Sequence, residues 1–110
     1  MNKLKKASIR NHDAMLRDLR ADPEYAAEFV KVALEEMEDP DTCAAALLAL
    51  RTVAEAYGMA KVAEEAGIQR ESLYRSLSPS GNPTLKTLMA VMKAVGLRIS
   101  AVPDKEHAHV

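Results

Sequence analysis

The sequence predicts an all-α fold, a compact helical bundle that contains a helix-turn-helix and closes on a short C-terminal strand. Three observations carry this reading. Asp-Pro occurs at 22–23 and again at 39–40, each a helix start in which Asp caps and Pro takes the first helical position, where its missing N–H costs nothing. Behind the first start, apolar residues recur at i, i+3, i+4 and i+7, the spacing of one buried helix face. Finally, two short segments between Met59 and Leu77 meet at Gly67, with small and branched apolar residues at the crossing.

The elements follow in order. Residues 1–11 lack apolar periodicity and read as a flexible basic arm, and a short helix is expected from His12 to Arg20. The helix begun at Asp22-Pro23 places Ala26, Phe29, Val30, Ala33 and Met37 on one face. That begun at Asp39-Pro40 is expected to reach Tyr57, burying Leu47, Leu50, Ala54 and Tyr57 before Gly58 stops it. Short helices follow at about Met59–Ala66 and Arg70–Leu77. Ser78-Pro79-Ser80-Gly81-Asn82-Pro83 is loop chemistry throughout. Thr84 caps a last helix with the face Leu85, Leu88, Val91, Met92 and Val95, and Gly96 ends it. Leu97 to Val102 alternates apolar residues with Arg98 and Ser100, the pattern of a strand ended by Pro103. The domain plan is therefore an arm at 1–11, one helical domain at 12–102 with the helix-turn-helix at 59–77, and a loose tail at 103–110.

Composition bounds the function. A chain of 110 residues fits one domain, and 48% hydrophobic with 28% charged residues is the balance of a soluble globule. With 4% aromatics and no Trp, the core must be Leu, Val, Ala and Met, thin enough to suggest help from a partner or a second copy. The one cysteine, Cys43, forms no internal disulfide and reads as a small buried hydrophobe in a reducing compartment. Its apolar run is too short to span a bilayer, and the basic N-terminus lacks a signal-peptide core, so no membrane partner and a cytoplasmic location are expected. The net charge of −1 is segregated: residues 1–11 carry four basic side chains and no acid, residues 12–57 four basic and eleven acidic, and residues 58–102 six basic and three acidic. A chain divided in this way can serve two different partners.

The informative stretch is 59–77. Ala63 is small where the two short helices cross, Gly67 lies in the turn, and Val62, Ala66, Ile68 and Leu73 fill the wedge. The second helix offers Gln69, Arg70, Glu71 and Arg75 outward, the first three at its N-terminal end, the end that enters a major groove in this motif. Arg bonds guanine bidentately and Gln bonds adenine.

The continuation Gly81-Asn82-Pro83-Thr84-Leu85, with Leu88 to Leu97, resembles the closing half of the Cro/C1-type repressor helix-turn-helix. The blocks Arg-Thr-Val-Ala-Glu-Ala-Tyr-Gly-Met-Ala (51–60), Arg-Glu-Ser-Leu-Tyr-Arg-Ser-Leu-Ser-Pro-Ser-Gly-Asn-Pro (70–83) and Leu-Met-Ala-Val-Met-Lys-Ala-Val-Gly-Leu-Arg (88–98) look like the HigA-like addiction-module antidote family, over about Ala21 to Val102. The resemblance implies an antitoxin that binds a RelE/HigB-like ribonuclease toxin and represses its own operon by binding double-stranded operator DNA as a homodimer. It implies base contacts from Gln69, Arg70, Glu71 and Arg75, and phosphate contacts from Ser72, Tyr74, Asn82, Thr84 and Lys86. Two positions depart from the general pattern: Met59 stands where many such repressors have Gln, and Ser76 where an aliphatic residue is usual.

The acidic half supplies a second expectation. An mRNA-cleaving toxin should be basic because its substrate is a polyanion, so Glu24, Glu28, Glu35, Glu36, Glu38 and Asp39 are candidates for the toxin-binding surface, by steering and by occupying its cations. An enzyme is not expected: there is no Ser-His-Asp or Cys-His set and no phosphate-binding glycine loop, and His107 and His109 lie in the tail. No cofactor and no metal are expected. The alternatives are a stand-alone Cro/C1-type transcriptional regulator with no toxin partner, and a protein-interaction module without DNA binding.

Overall fold

Asp22 does what its chemistry dictates. Its backbone is extended and its carboxylate accepts from the N–H groups of Glu24 (3.1 Å) and Tyr25 (3.2 Å), with Pro23 opening the helix. The computed structural model describes the backbone of residues 3–104 and the side chains of residues 11–104. Within these residues it contains six helices: α1 (Lys3–Ala21), α2 (Pro23–Glu36), α3 (Cys43–Tyr57), α4 (Met59–Ala66), α5 (Arg70–Ser76) and α6 (Leu85–Ala94).

The long α3 is the centre of the fold. The helices α1 and α2 pack on it and on each other, α4 and α6 pack on it from the other end, and α5 rests on α4. Leu50, Val53, Ala54 and Ala56 of α3 are buried, together with Leu19 of α1, Val30 of α2, Val62 of α4 and Val91 of α6. The chain breaks by 104° between α3 and α4 at Gly58, whose φ of +104° few other residues would accept. Two side chains tie the C-terminal ends of α1 and α3 together. The Tyr57 hydroxyl donates to the Leu19 carbonyl, and the Arg20 Nε donates to the Ala56 carbonyl, both at 2.7 Å. Each thereby satisfies a carbonyl in the last helical turn of the other helix, where the backbone has run out of partners.

Several expectations are corrected. The first helix begins at Lys3, well before His12, within the segment expected as an arm. The third begins at Cys43, not at Asp39-Pro40. Here Asp39 organises a turn instead of a cap: its carboxylate accepts from the Asp41 N–H at 2.9 Å and its carbonyl from Thr42 and Cys43, while the Thr42 hydroxyl reaches back to the Glu36 carbonyl at 2.6 Å. Cys43 is half-buried at that helix start. In α6, Val91, Met92 and Val95 of the expected face are buried along with Ala90 and Thr87, and Leu88 packs on the core, but Leu85 is 65% exposed.

The C-terminal strand is absent, and the fold among the described residues is all-helical with no strand. A strand needs a neighbour for its N–H and C=O groups, and the described residues offer none. Instead α6 ends in a paired closure in which the Leu97 N–H donates to the Met92 carbonyl (2.8 Å) and that of Gly96 to Lys93 (3.1 Å), the Schellman pattern. This returns Leu97 to the core surface and leaves Ile99 and Val102 exposed. Of the expected tail, residues 105–110, with His107 and His109, lie outside the described residues.

Beyond α5 the chain folds tightly back on the helix end. The Ser76 hydroxyl donates to the Leu73 carbonyl (2.9 Å) and the Ser78 hydroxyl to that of Arg75 (2.7 Å), and the Gly81 N–H closes a turn on Ser78 (2.8 Å). Gly81 passes so near the carbonyls of Arg75 and Ser76 that a Cβ there would run into both. At Gly96 a Cβ meets open space, and only its φ of +76° opposes substitution. Gly81→Ala should therefore cost about 1–3 kcal/mol or more, because backbone rather than a side-chain tip must move, and Gly96→Ala about 1 kcal/mol. Denaturant titration of both variants checks the order; equal losses would mean that the 78–82 loop repacks freely.

Candidate functional site

The region singled out by sequence is built on a sharp reversal. The Ile68 N–H donates to the Ala63 carbonyl and that of Gly67 to Glu64, both at 3.1 Å, so α4 ends in the same paired closure as α6, with Gly67 at φ +70°. Gln69 is extended and α5 starts at Arg70. Two residues hold this helix down, Leu73 within it and Leu77 at its C-terminal end, both fully buried. Leu77 thus fills the space that Ser76, half-buried with its hydroxyl bonded to Leu73, does not.

That anchoring fixes what faces outward. Gln69, Arg70, Glu71 and Arg75 are all exposed. The Gln69 side chain makes no capping bond, so its amide is not committed to the helix start. Among the described residues Arg70 has no ion-pair partner; Arg75 donates to the Ser72 hydroxyl at 3.3 Å, a long bond that lays it along the helix surface. Glu71 lies in the first turn, where a carboxylate favours the helix dipole.

The five residues expected at phosphates divide. Lys86 is exposed and reaches over the α4–α5 turn: a Cβ built on Gly67 would lie 3.5 Å from its Nζ. Asn82, four residues before it, is exposed, and Ser72 is half-buried. Tyr74 packs back instead: its half-buried ring has the Arg51 guanidinium 5.1 Å from its centroid, and Arg51 is itself held by Glu55 at 3.3 Å. The Thr84 hydroxyl caps α6, accepting from the Thr87 N–H at 3.1 Å. Met59, which stands where many such repressors have Gln, is buried.

The six acids are exposed but do not form one surface. Glu28 and Glu36 border a groove between α2 and α3, whereas Glu35 and Glu38 face another, between α2 and the segment from Leu97 to Asp104. Glu24 lies in the first turn of α2, and the Asp39 carboxylate is used in its turn. The α2–α3 groove was not foreseen. Its signal was present as a second stripe on α2, Tyr25, Phe29, Val32 and Glu36 at i, i+4, i+7 and i+11, beside the buried stripe of Ala26, Val30 and Ala33. Among the described residues no group of three His, Cys, Asp or Glu is placed to hold a metal ion, and no single helix is long and apolar enough to cross a membrane.

A small helical chain with a short, outward-facing helix on a fixed turn is the class this geometry defines. The family described as "Probable addiction module antidote protein" matches residues 11–103, from within α1 to past α6, and the chain belongs to that family. An uncharacterized protein of Haemophilus influenzae is 44% identical over 71 residues, 64% of this chain and 73% of its own length. No solved structure matches the chain.

The division of the expected phosphate contacts has a measurable consequence. Thr84→Ala removes a helix cap and should lower stability by about 1 kcal/mol, read as a shift in the denaturation midpoint. Asn82→Ala, exposed and without an internal bond among those described, should leave stability unchanged. A Thr84 variant as stable as the parent would show that the α6 cap contributes nothing.

Proposed function

We propose that this chain is the antitoxin of a type II toxin–antitoxin module. In this reading it is HigA-like: it neutralises a RelE/HigB-like ribonuclease toxin by binding it, and it represses its own operon in the cytoplasm by binding operator DNA as a homodimer. The units α4 and α5 act as a Cro/C1-type helix-turn-helix. Membership of an antidote family favours a toxin partner over a stand-alone regulator.

One observation carries the DNA reading. The side chains suited to base edges, Gln69, Arg70 and Arg75, stand exposed on a helix whose other side is fixed by fully buried Leu73 and Leu77. Direct readout needs donors and acceptors held at a set distance from the groove floor, and a short helix pinned through its buried side supplies that. In this reading Arg70 and Gln69 act at the leading end, Arg75 five residues further on, and Glu71 accepts from cytosine N4. Lys86, Asn82 and Ser72 take phosphates, which orient the protein without reading sequence. One such helix reads too few bases for tight binding, so two copies address an inverted repeat with half-sites about 34 Å apart.

The test is an electrophoretic mobility shift on the DNA upstream of the chain's own reading frame. Arg70→Ala should weaken specific binding by about 1–3 kcal/mol and relax one base position. Lys86→Ala should weaken all sequences alike and lower the slope of affinity against salt by about one ion. Parental affinity in both variants would remove α5 from the groove.

A further inference from the structure

We infer that the groove between α2 and α3 is where this chain holds a basic protein partner, by taking an apolar side chain of that partner between two carboxylates. The inference rests on the antitoxin reading above, whose partner is a ribonuclease, and names the surface that reading leaves open. The groove is an open trough of about 420 Å³. One wall is the stripe Tyr25, Phe29 and Val32 of α2, and the other is Ala45, Ala46 and Ala49 of α3. Three alanines facing two rings explain the trough: the α3 side is too small to fill the space that the α2 side chains create. Tyr25 and Val32 remain 37% and 47% exposed, an apolar surface that folding of this chain does not cover. The Tyr25 and Phe29 rings meet edge to face at 6.0 Å, a contact that holds the wall in place before any partner arrives.

Charge decides the occupant. Glu28 and Glu36 border the apolar surface, and neither has an ion-pair partner among the described residues. Among the described residues no basic side chain lines this groove; Lys31 of α2 lies on the opposite groove. DNA and RNA are therefore repelled. A second copy docking the same face two-fold would press four carboxylates against shared apolar surface, where like charges cost most. A partner presenting an apolar anchor flanked by Lys or Arg meets both features at once. A ribonuclease carries such cations for its polyanionic substrate, so the contact that binds it can also occupy the charges it needs for RNA.

The experiment uses the full chain and the purified product of the reading frame adjoining its own, with affinity measured by titration calorimetry at two salt concentrations. Val32→Arg, which places bulk and positive charge in the trough at an exposed position, should weaken binding about tenfold or more. Glu28→Gln with Glu36→Gln should weaken it and flatten its salt dependence. Glu35→Gln with Glu38→Gln, on the other side of α2, should change neither. Thermal melts and operator shifts of each variant confirm the fold, and the milder Ala45→Gln blocks the trough should Val32→Arg fail to fold. Parental affinity in the groove variants, or a loss confined to the Glu35 and Glu38 pair, overturns the inference while leaving the antitoxin reading intact. Self-association abolished by Val32→Arg with partner affinity unchanged also overturns it, giving the groove to a second copy. A parental chain that does not bind the adjoining product overturns the antitoxin reading, and the groove assignment falls with it.

Discussion

A seven-residue helix cannot hold itself together in water, because nucleating a helical turn costs more than a few hydrogen bonds return. The helix α5 exists because Leu73 and Leu77 are fully buried, and everything the outward face can do depends on that burial. Two leucines four residues apart leave one orientation of the helix about its axis, and that orientation presents Arg70 and Arg75. Burying a leucine side chain is favourable by roughly 1.5–3 kcal/mol, far more than any contact among the exposed residues. The hydroxyls of Ser76 and Ser78 and the close pass of Gly81 then fix where the helix stops. The Ser-Pro-Ser-Gly-Asn-Pro stretch is thus an extension of the α5 anchor, and the glycine is demanded by backbone proximity rather than by an unusual φ.

The second constraint is α3, which packs on α1 and α2 and on α4 and α6. Its first half offers alanines to α2 and its second half Leu50, Val53 and Ala54 to the core. Its last turn is tied to α1 by the exchange between Tyr57, Leu19, Arg20 and Ala56, and Gly58 then turns the chain by 104° into α4. The thin, aromatic-poor core is workable because these backbone carbonyls are met by side chains at the points where helices end. The same division separates charge: the carboxylates of Glu28 and Glu36 lie on the α2 side, while Lys86 and Arg70 lie around the turn between α4 and α5.

What was legible in the sequence is what local chemistry decides. Asp22-Pro23 and Thr84 start helices because their side-chain oxygens meet backbone N–H groups a few residues on. Gly67 and Gly96 end helices because the reversal requires a positive φ. The spans of α4 and α5 follow from such signals, as do their exposed residues. What failed depended on geometry between elements. Asp39-Pro40 carries the same letters as Asp22-Pro23, but the short link from α2 draws the Asp39 carboxylate into a turn, and α3 starts at Cys43. Leu97 to Val102 alternates like a strand, yet alternation states only which residues prefer burial, and among the described residues there is no neighbouring strand to pair with it. Leu85 fits a helical stripe by spacing but lies at the first turn of α6, beyond the reach of the core.

The acids show the same limit most clearly. Counted along the chain, Glu24 to Asp39 are one block of negative charge. On a helix, however, successive residues advance by about 100°, as 3.6 residues per turn require, and a block becomes several faces. Glu28 and Glu36, eight residues apart, share a side of α2, whereas Glu35, adjacent to Glu36, belongs to the other. Net charge over a segment therefore predicts a field, not a surface. A field is felt to about 8 Å at physiological ionic strength and acts on approach. A bound partner is held by whatever apolar surface the charges border. Among the described residues, the pair beside Tyr25, Phe29 and Val32 borders a groove whose charged lining is acidic, whereas Lys31 and Arg98 share the other groove with Glu35 and Glu38. It is this asymmetry between two sides of one helix, invisible to a charge count, that separates a solvated face from one built to be covered.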